Sequence, residues 1–254
     1  MIALTREVSD SIVHCELTHL DRVPIDVERA RGQHRAYEAA LEAAGCTIVR
    51  VEAAPELADA VFVEDAAVVF DEVAVIARPG AVSRRAETAA VAEVAGHYRA
   101  LEFIGPPATI DGGDVLVVGR EVFIGVSSRT NAAAVDQMRA LLEPFGYRVH
   151  PVSVSGCLHL KSAVTALADD RLLLNSAWVA RSQLSSFGVV DVDPLEPAAA
   201  NILRAGSDLV YPDAFPRTRE RLERAGFRVR TVDVSELAKA EGAVTCCSLI
   251  FPSA

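Results

Sequence analysis

The chain has no CxxC pair, no GxGxxG or Walker loop, and no apolar run near the roughly 20 residues that a bilayer-spanning helix needs. Each absence removes a class of function. Without cysteines paired at metal-binding spacing, a structural zinc site is not expected. Cys15, Cys46, Cys157, Cys246 and Cys247 are odd in number and irregular in spacing, so they make no disulfide framework. Without a phosphate loop, an open nucleotide-binding α/β sheet loses its usual purpose. The opening residues, Met1 to Glu7, lack the long apolar stretch of a signal peptide. A soluble, cytoplasmic protein without membrane contact is the expectation. Basic residues are outnumbered, with Lys+Arg 25 against Asp+Glu 35 and a net charge of −10. Such a surface repels phosphates, which argues against nucleic acid, and it suits a small cationic ligand.

Apolar side chains, by contrast, are plentiful. They make up 51% of the 254 residues against 24% charged, enough for a sizeable core in a single domain spanning 1–254. The apolar stretches also repeat. The recurring unit is a strand, a tight polar turn, a second strand, a basic or hydroxyl-bearing loop, a helix and a third strand. In one copy a strand at 63–70 meets the turn Asp71-Glu72, a strand at 73–77 and the loop Ser83-Arg84-Arg85. The next has strands at 115–118 and 122–125 around Gly119-Arg120-Glu121, then Ser128-Arg129-Thr130. Its helix starts from Asn131, with Val135, Met138 and Leu142 along one face. A third copy spans 158–174 with its turn at Asp169-Asp170. The fourth spans 199–232, with a helix at 216–225 and Gly226 as its C-cap. A fifth is split, its first strand at 244–251 and its second at 2–6, followed by a helix over 27–44. The chain therefore predicts an α/β propeller of five ββαβ blades with pseudo-fivefold symmetry, closed by pairing the N- and C-terminal strands. Such closure leaves no sheet edge open.

Equivalent positions near the start of each blade carry Glu64 and Asp65, Asp111, His159, Asn201 and Cys246. Polar groups set in apolar strands are costly unless they meet partners or a ligand, and at one end of a propeller they would meet each other. A thiol, an imidazole and carboxylates around one cavity meet the needs of a nucleophile, a base and an orienting group, with Cys246, His159 and Asp111 the candidates. Alone, each has a plainer explanation. A cysteine in an apolar strand is ordinarily a buried, unreactive thiol, and a single histidine is ordinarily structural. Asp111 precedes Gly112-Gly113 and would serve as a turn residue, with Asp114 the other candidate to orient the histidine. His14, His19, His34, His97 and His150 look solvated. Arg84 and Arg129 recur at the same place in two blades, which argues for a paired carboxylate clamp rather than two solvated loop residues.

The segments Val61-Phe62-Val63-Glu64-Asp65, Ile110-Asp111-Gly112-Gly113-Asp114, Leu158-His159-Leu160-Lys161 and Thr245-Cys246-Cys247-Ser248 resemble the dimethylarginine dimethylaminohydrolase family. Arg78-Pro79-Gly80, Ser83-Arg84-Arg85 and Ser128-Arg129-Thr130-Asn131 extend the likeness over nearly the whole chain. The resemblance implies the five-bladed propeller shared with arginine deiminases and the hydrolysis of Nω-methylated arginine to citrulline and an amine. It implies Cys246 as nucleophile, passing through an S-alkylthiouronium intermediate, His159 as general acid/base and Asp111 as its orienting carboxylate. It places Asp65 on the guanidinium nitrogens, Glu64 in support, Asp59 as a further contact and Arg84 with Arg129 on the substrate α-carboxylate. The segment 15–24 resembles a lid whose Leu17 backbone meets the substrate. Ala240 stands where a larger apolar residue is sometimes found. No metal or cofactor is implied, and the partner is a cationic guanidino compound; the sequence leaves room for a homodimer. Competing readings are an arginine or agmatine deiminase, a non-catalytic binding propeller, and a redox or metal-sensing role for Cys246-Cys247.

Overall fold

Four hairpins and one pairing of the chain ends organise the structure. The computed structural model, which describes residues 1–253, carries fifteen strands in five sheets of three. The first sheet joins the chain ends, with β1 (Ile2–Thr5) between β15 (Leu249–Phe251) and β2 (Thr47–Arg50). The second holds β3 (Ala67–Val69), β4 (Val73–Ile76) and β5 (Ala100–Phe103). Next come β6 (Val115–Val118), β7 (Glu121–Val126) and β8 (Arg148–Ser153). The fourth sheet is β9 (Val164–Ala168), β10 (Arg171–Leu174) and β11 (Gly188–Asp191). The last is β12 (Leu203–Ala205), β13 (Asp208–Pro212) and β14 (Val229–Val232).

Every sheet obeys one rule. Its first strand pairs antiparallel with the second, through a tight turn in four sheets and between the two chain ends in the first, and the second pairs parallel with the third through a crossover. Helices fill four of the crossovers: α1 (Val27–Ala43), α2 (Thr88–Ala95), α3 (Ala132–Leu142) and, skipping the one-turn α4 (Leu160–Ala163), α5 (Pro216–Arg224). A further turn, α6 (Ser235–Ala238), follows β14. The fourth sheet departs from the repeat, with only a 3-10 turn at Arg181–Leu184 in its crossover. Asn175 explains the short start: its side-chain oxygen accepts the Ala177 amide, an Asx turn that competes with helix.

The expected pairing of the two chain ends is present, with Ile2 opposite Phe251 and Leu4 opposite Leu249. The middle strands β4 and β13 are buried along their whole length, as suits strands covered on both faces. The third strands β2 and β5 are largely exposed. Between sheets it is the first strands that touch: β15 against β3, β6 against β9, and β9 against β12. On α3 the face of Ala134, Val135, Met138 and Leu142 is buried, and Asn131 caps the helix by accepting the Ala134 amide. Burying Met138 completely contributes about 2 kcal/mol. Among the described residues no helix is long and apolar enough to cross a membrane.

Two expectations need correction. The polar residues near the blade starts are not in strands. Val63–Ala66 is a 3-10 turn, Asp111 caps another at Gly112–Asp114, His159 caps α4, and residues 244–247 form turns before β15 begins at Leu249. The reason is hydrogen bonding. In a turn these side chains and backbone amides bond across sheets: the Glu64 amide donates to the Cys246 carbonyl at 3.1 Å, and the Gly113 amide to Asp65 Oδ1 at 2.9 Å. The second correction is His34, which is buried at 3% exposure on α1, its Nε2 without a partner. His150 is half-buried against Glu121.

Gly112 is more than a turn residue. A Cβ there would lie 2.0 Å from the Glu64 carbonyl oxygen and 3.0 Å from that of Ala67, so two sheets approach through it. Gly112→Ala is expected to cost at least about 3 kcal/mol, because the obstacle is backbone that cannot swing aside. Urea unfolding of the variant checks this; a midpoint within experimental error of wild type would show that the two turns can separate freely.

Candidate active site

The turns that precede the first strands of the sheets bring their side chains to one small chamber. Cys246, His159, Asp65, Asp59, Arg84 and Arg129 all line it, with Phe62 and Leu158 as apolar walls and Glu16, Ala240, Glu241 and Gly242 above. The free space is about 20 Å³, on the scale of a single water. Admission of a substrate therefore requires the overlying segment to move.

His159 is 5% exposed and held from both sides. Its Nε2 lies 3.1 Å from Asp111 Oδ2, and its Nδ1 lies 3.9 Å from Asp65 Oδ1. Burial alone would push the imidazolium down, but Asp65, Asp111 and Asp114 outweigh it and lift its pKa to about 9. Asp111 is wholly buried, and its other oxygen accepts the Gly80 amide at 2.9 Å. Asp114, the alternative orienting group, instead accepts the Leu160 amide and the Ser127 hydroxyl. It sets the turn that carries His159 without bonding the ring. Gly113 must be glycine here, since a Cβ would lie 2.6 Å from His159 Nδ1 and 2.8 Å from Asp65 Oδ1.

Asp65 is the best-supported anion. Burial would raise it, yet the His159 charge and the Arg84 guanidinium hold it at about 2. Arg84 has a different placement from the one its sequence position suggests. Its guanidinium is buried and engaged by Asp65 at 2.5 Å, by Glu87 at 2.8 Å and by the carbonyls of Asp59 and Phe62. Its recurrence with Arg129 concealed this, because the partner Glu87 lies three residues on and follows no repeat. Glu87 itself is pushed up by burial to about 7 despite Arg84. Arg129 is less committed. It donates to the Thr18 hydroxyl at 3.0 Å and stands 3.9 Å from Asp111.

Cys246 and Cys247 part company. Cys247 is fully buried in the apolar cluster beneath α1, whereas Cys246 reaches the chamber. Burial, then Glu64 and Asp65, push the Cys246 thiol up to about 12. Without a ligand it is a neutral thiol beside an imidazolium. Glu64 itself does not line the chamber. Its carboxylate bonds Lys161 at 2.6 Å and Thr245 at 2.7 Å, and Asn201 braces both Lys161 and Thr245. These residues form a wall. Behind it a cavity of about 540 Å³ opens to the far face, lined by Glu64, Lys161 and Thr245 but by no cysteine or histidine.

In the segment 15–24, expected as a lid, Glu16 rather than Leu17 reaches the chamber wall. Its amide donates to Asp59 Oδ2 at 3.0 Å, and its carboxylate accepts the Ser83 hydroxyl. Leu17 packs against the apolar cluster. Sequence patterns did not reveal Glu241, Phe62 or the bracing of Thr245 by Asn201, since none falls on a repeat with a chemical signature. For a metal, Asp65, Asp111 and His159 have ligand atoms within 4.8 Å of one another. An ion there would displace the imidazole proton and compete with Arg84 for Asp65.

Comparison with known proteins gives one direction. A sequence-family model described as N,N dimethylarginine dimethylhydrolase, eukaryotic, matches residues 18–171. N(G),N(G)-dimethylarginine dimethylaminohydrolase of Streptomyces coelicolor is 43% identical over 97% of this chain and 95% of its own. The Pseudomonas aeruginosa protein of the same name is 36% identical over 89% and 90%. A solved structure of the latter, a cysteine-to-serine mutant complexed with citrulline, superposes with TM-score 0.93 at 34% identity over 98% of both chains. The N-terminal domain of ArgZ, an arginine dihydrolase from cyanobacteria, shares the fold at TM-score 0.87 and 20% identity.

The raised His159 value fixes the sign of a pH effect. An imidazole that titrates near 6.5 unfolded and about 9 folded stabilises the fold fully below about pH 6.5, and that contribution is lost as pH rises toward 9. Unfolding free energy measured in urea should therefore decline between about pH 6.5 and 8, and the decline should shrink in His159→Gln. Equal slopes in both proteins would place the proton elsewhere.

Proposed function

The chain belongs to the dimethylarginine dimethylaminohydrolase family, and on that footing we propose that it hydrolyses Nω-methylated arginine to citrulline and di- or monomethylamine on Cys246. The observation that carries this reading is a single small chamber holding a thiol, an imidazole and the carboxylates of Asp59 and Asp65. A guanidinium is a poor electrophile because its charge is delocalised. Asp65, poised as an anion by Arg84, pairs with its nitrogens and fixes the central carbon beside sulfur. The same cation offsets the Asp65 charge that repels a thiolate and adds a second positive charge near Cys246. Ionisation of the thiol thus follows substrate binding, its proton leaving to solvent.

The thiolate forms a bond to the guanidinium carbon, giving a tetrahedral adduct. His159 passes its proton to the substituted nitrogen, the carbon–nitrogen bond breaks, and the amine departs from an S-alkylthiouronium. Now neutral, His159 takes a proton from water; the hydroxide adds to the carbon and the sulfur leaves as citrulline forms. Asp111 keeps the ring oriented throughout. Arg129, with most of its donors uncommitted, takes the α-carboxylate, and Arg84 stands behind as the residue that positions Asp65. The acidic balance of the chain favours a cationic partner over nucleic acid.

Incubation with asymmetric dimethylarginine should release citrulline and dimethylamine in equal amounts, with none from Cys246→Ser. Ammonia from arginine or agmatine, with no dimethylamine, would move the chain to deiminase chemistry. Folded protein that is silent on every guanidine would leave a binding role. The two arginines should separate in the same assay. Arg129→Ala is expected to raise KM about tenfold or more with kcat little changed, as for loss of one charge-assisted contact. Arg84→Ala should lower the unfolding midpoint as well as kcat, because it strands Asp65 and Glu87 in the interior. Matching effects from the two variants would refute this division of labour.

A further inference from the structure

Among the described residues outside glycine, Glu241 alone has a positive φ, 59°. That conformation is disfavoured for a side chain with a Cβ and persists only where its surroundings enforce it. It sits on the rim of the chamber, between Ala240 and Gly242. Its carboxylate reaches across to the lid and accepts three successive backbone amides: Thr18 at 3.0 Å, His19 at 2.5 Å and Leu20 at 2.7 Å. Thr18 also lies 3.1 Å from the second oxygen. These are the only bonds of that carboxylate among the described residues.

Three consecutive amides converging on one anion form a nest, a concave site that selects negative charge. Here the anion belongs to the protein, and it stands 221 to 223 residues away in the chain. The other lid ties to the rest of the chain are single bonds: the Glu16 amide to Asp59, the Ser83 hydroxyl to the Glu16 carboxylate, Arg129 to Thr18, and Lys239 to the Pro24 carbonyl. Of these partners Asp59 and Arg129 face the chamber, so an arriving substrate competes for them, and the exposed Ser83 and Lys239 bonds are single contacts at the lid's edges. Glu241 is the anchor that does not have to let go when Asp59 and Arg129 turn to the ligand. We infer that Glu241 is the latch of the lid, a positioning residue that holds segment 15–24 closed over Cys246 during the reaction. This rests on the hydrolase reading for its consequence in turnover, though not for the closure itself.

The test uses the full chain and a neutral thiol reagent, iodoacetamide, with the modified peptide identified by mass. Glu241→Gly removes the carboxylate while suiting the positive φ, so the fold should keep its unfolding midpoint; Glu241→Gln keeps an acceptor without the charge. Alkylation of Cys246 is expected to rise about tenfold in Glu241→Gly, the scale of a lost charge-assisted clasp, and by less in Glu241→Gln. With asymmetric dimethylarginine, KM should rise about tenfold in Glu241→Gly while kcat changes less than about threefold. Unchanged alkylation in Glu241→Gly overturns the latch. If KM rises while alkylation does not, Glu241 contacts substrate directly and the latch is equally refuted. Absence of turnover in wild type would count against the hydrolase reading alone, since alkylation reports closure without it.

Discussion

Charge withdrawn from water is the constraint on which the chamber depends. Asp65, Glu87 and Arg84 are buried together, and His159 lies between Asp65 and Asp111. An ion pair of this kind adds little net stability, because desolvation offsets the attraction. Breaking one is another matter, at about 3–5 kcal/mol, since the survivor is left buried and unpaired. The partners lie on turns that lead into different sheets: Asp65 before β3, Asp111 before β6, and His159 with Lys161 before β9. The ionic network therefore ties the sheets to one another at one end, as the hairpin ladders tie strands within each sheet. It follows that the site and the fold are held by overlapping sets of bonds.

The wall between the two cavities extends this point. Lys161 and Glu64 meet at 2.6 Å, and Thr245, next to the nucleophile, joins them through Glu64 and Asn201. Burial raises Glu64, while Lys161 favours its anion. Glu64, Lys161 and Thr245 line a wide, open cavity, whereas the chamber of Cys246 and His159 holds about one water. The difference matters for a reaction with a hydrolysable thiouronium, because water must enter only after the amine has left.

Much of this was legible in the sequence, for reasons that can be named. Hairpin turns such as Asp71-Glu72 and Gly119-Arg120-Glu121 interrupt apolar runs, so four of the blades could be read directly and the split fifth inferred from the chain ends. Cys246, His159, Asp65 and Asp111 stood out as polar residues in apolar surroundings. The backbone of those same segments was read as strand because Val-Phe-Val and Ala-Ala-Val-Val flank Glu64-Asp65 without a break in hydrophobicity. Only the cross-sheet bonds to Gly113 and Cys246 reveal the 3-10 turn. His34 differs for another reason: its residue type suggests solvent, yet it lies four residues after Ala30 and three before Tyr37, on the buried face of α1. The buried contacts of Arg84 are not legible in the sequence either, because they depend on Glu87, Asp59 and Phe62 converging in space.

The resting protonation states show why this arrangement suits a cationic substrate. A thiol lifted to about 12 and an imidazole lifted to about 9 both hold their protons at neutral pH, so the empty chamber contains a weak nucleophile and a ready acid. Both shifts trace in part to Asp65, which repels a thiolate and attracts an imidazolium. A guanidinium bound at Asp65 reverses the first effect, because its charge cancels the repulsion felt by sulfur. It also weakens the hold on the imidazole proton, which must be given up to the leaving amine. One carboxylate thus couples both proton movements to the arrival of a positive charge. A neutral analogue would leave Cys246 protonated, and so the charge of the substrate, as much as its shape, decides what this site can cut.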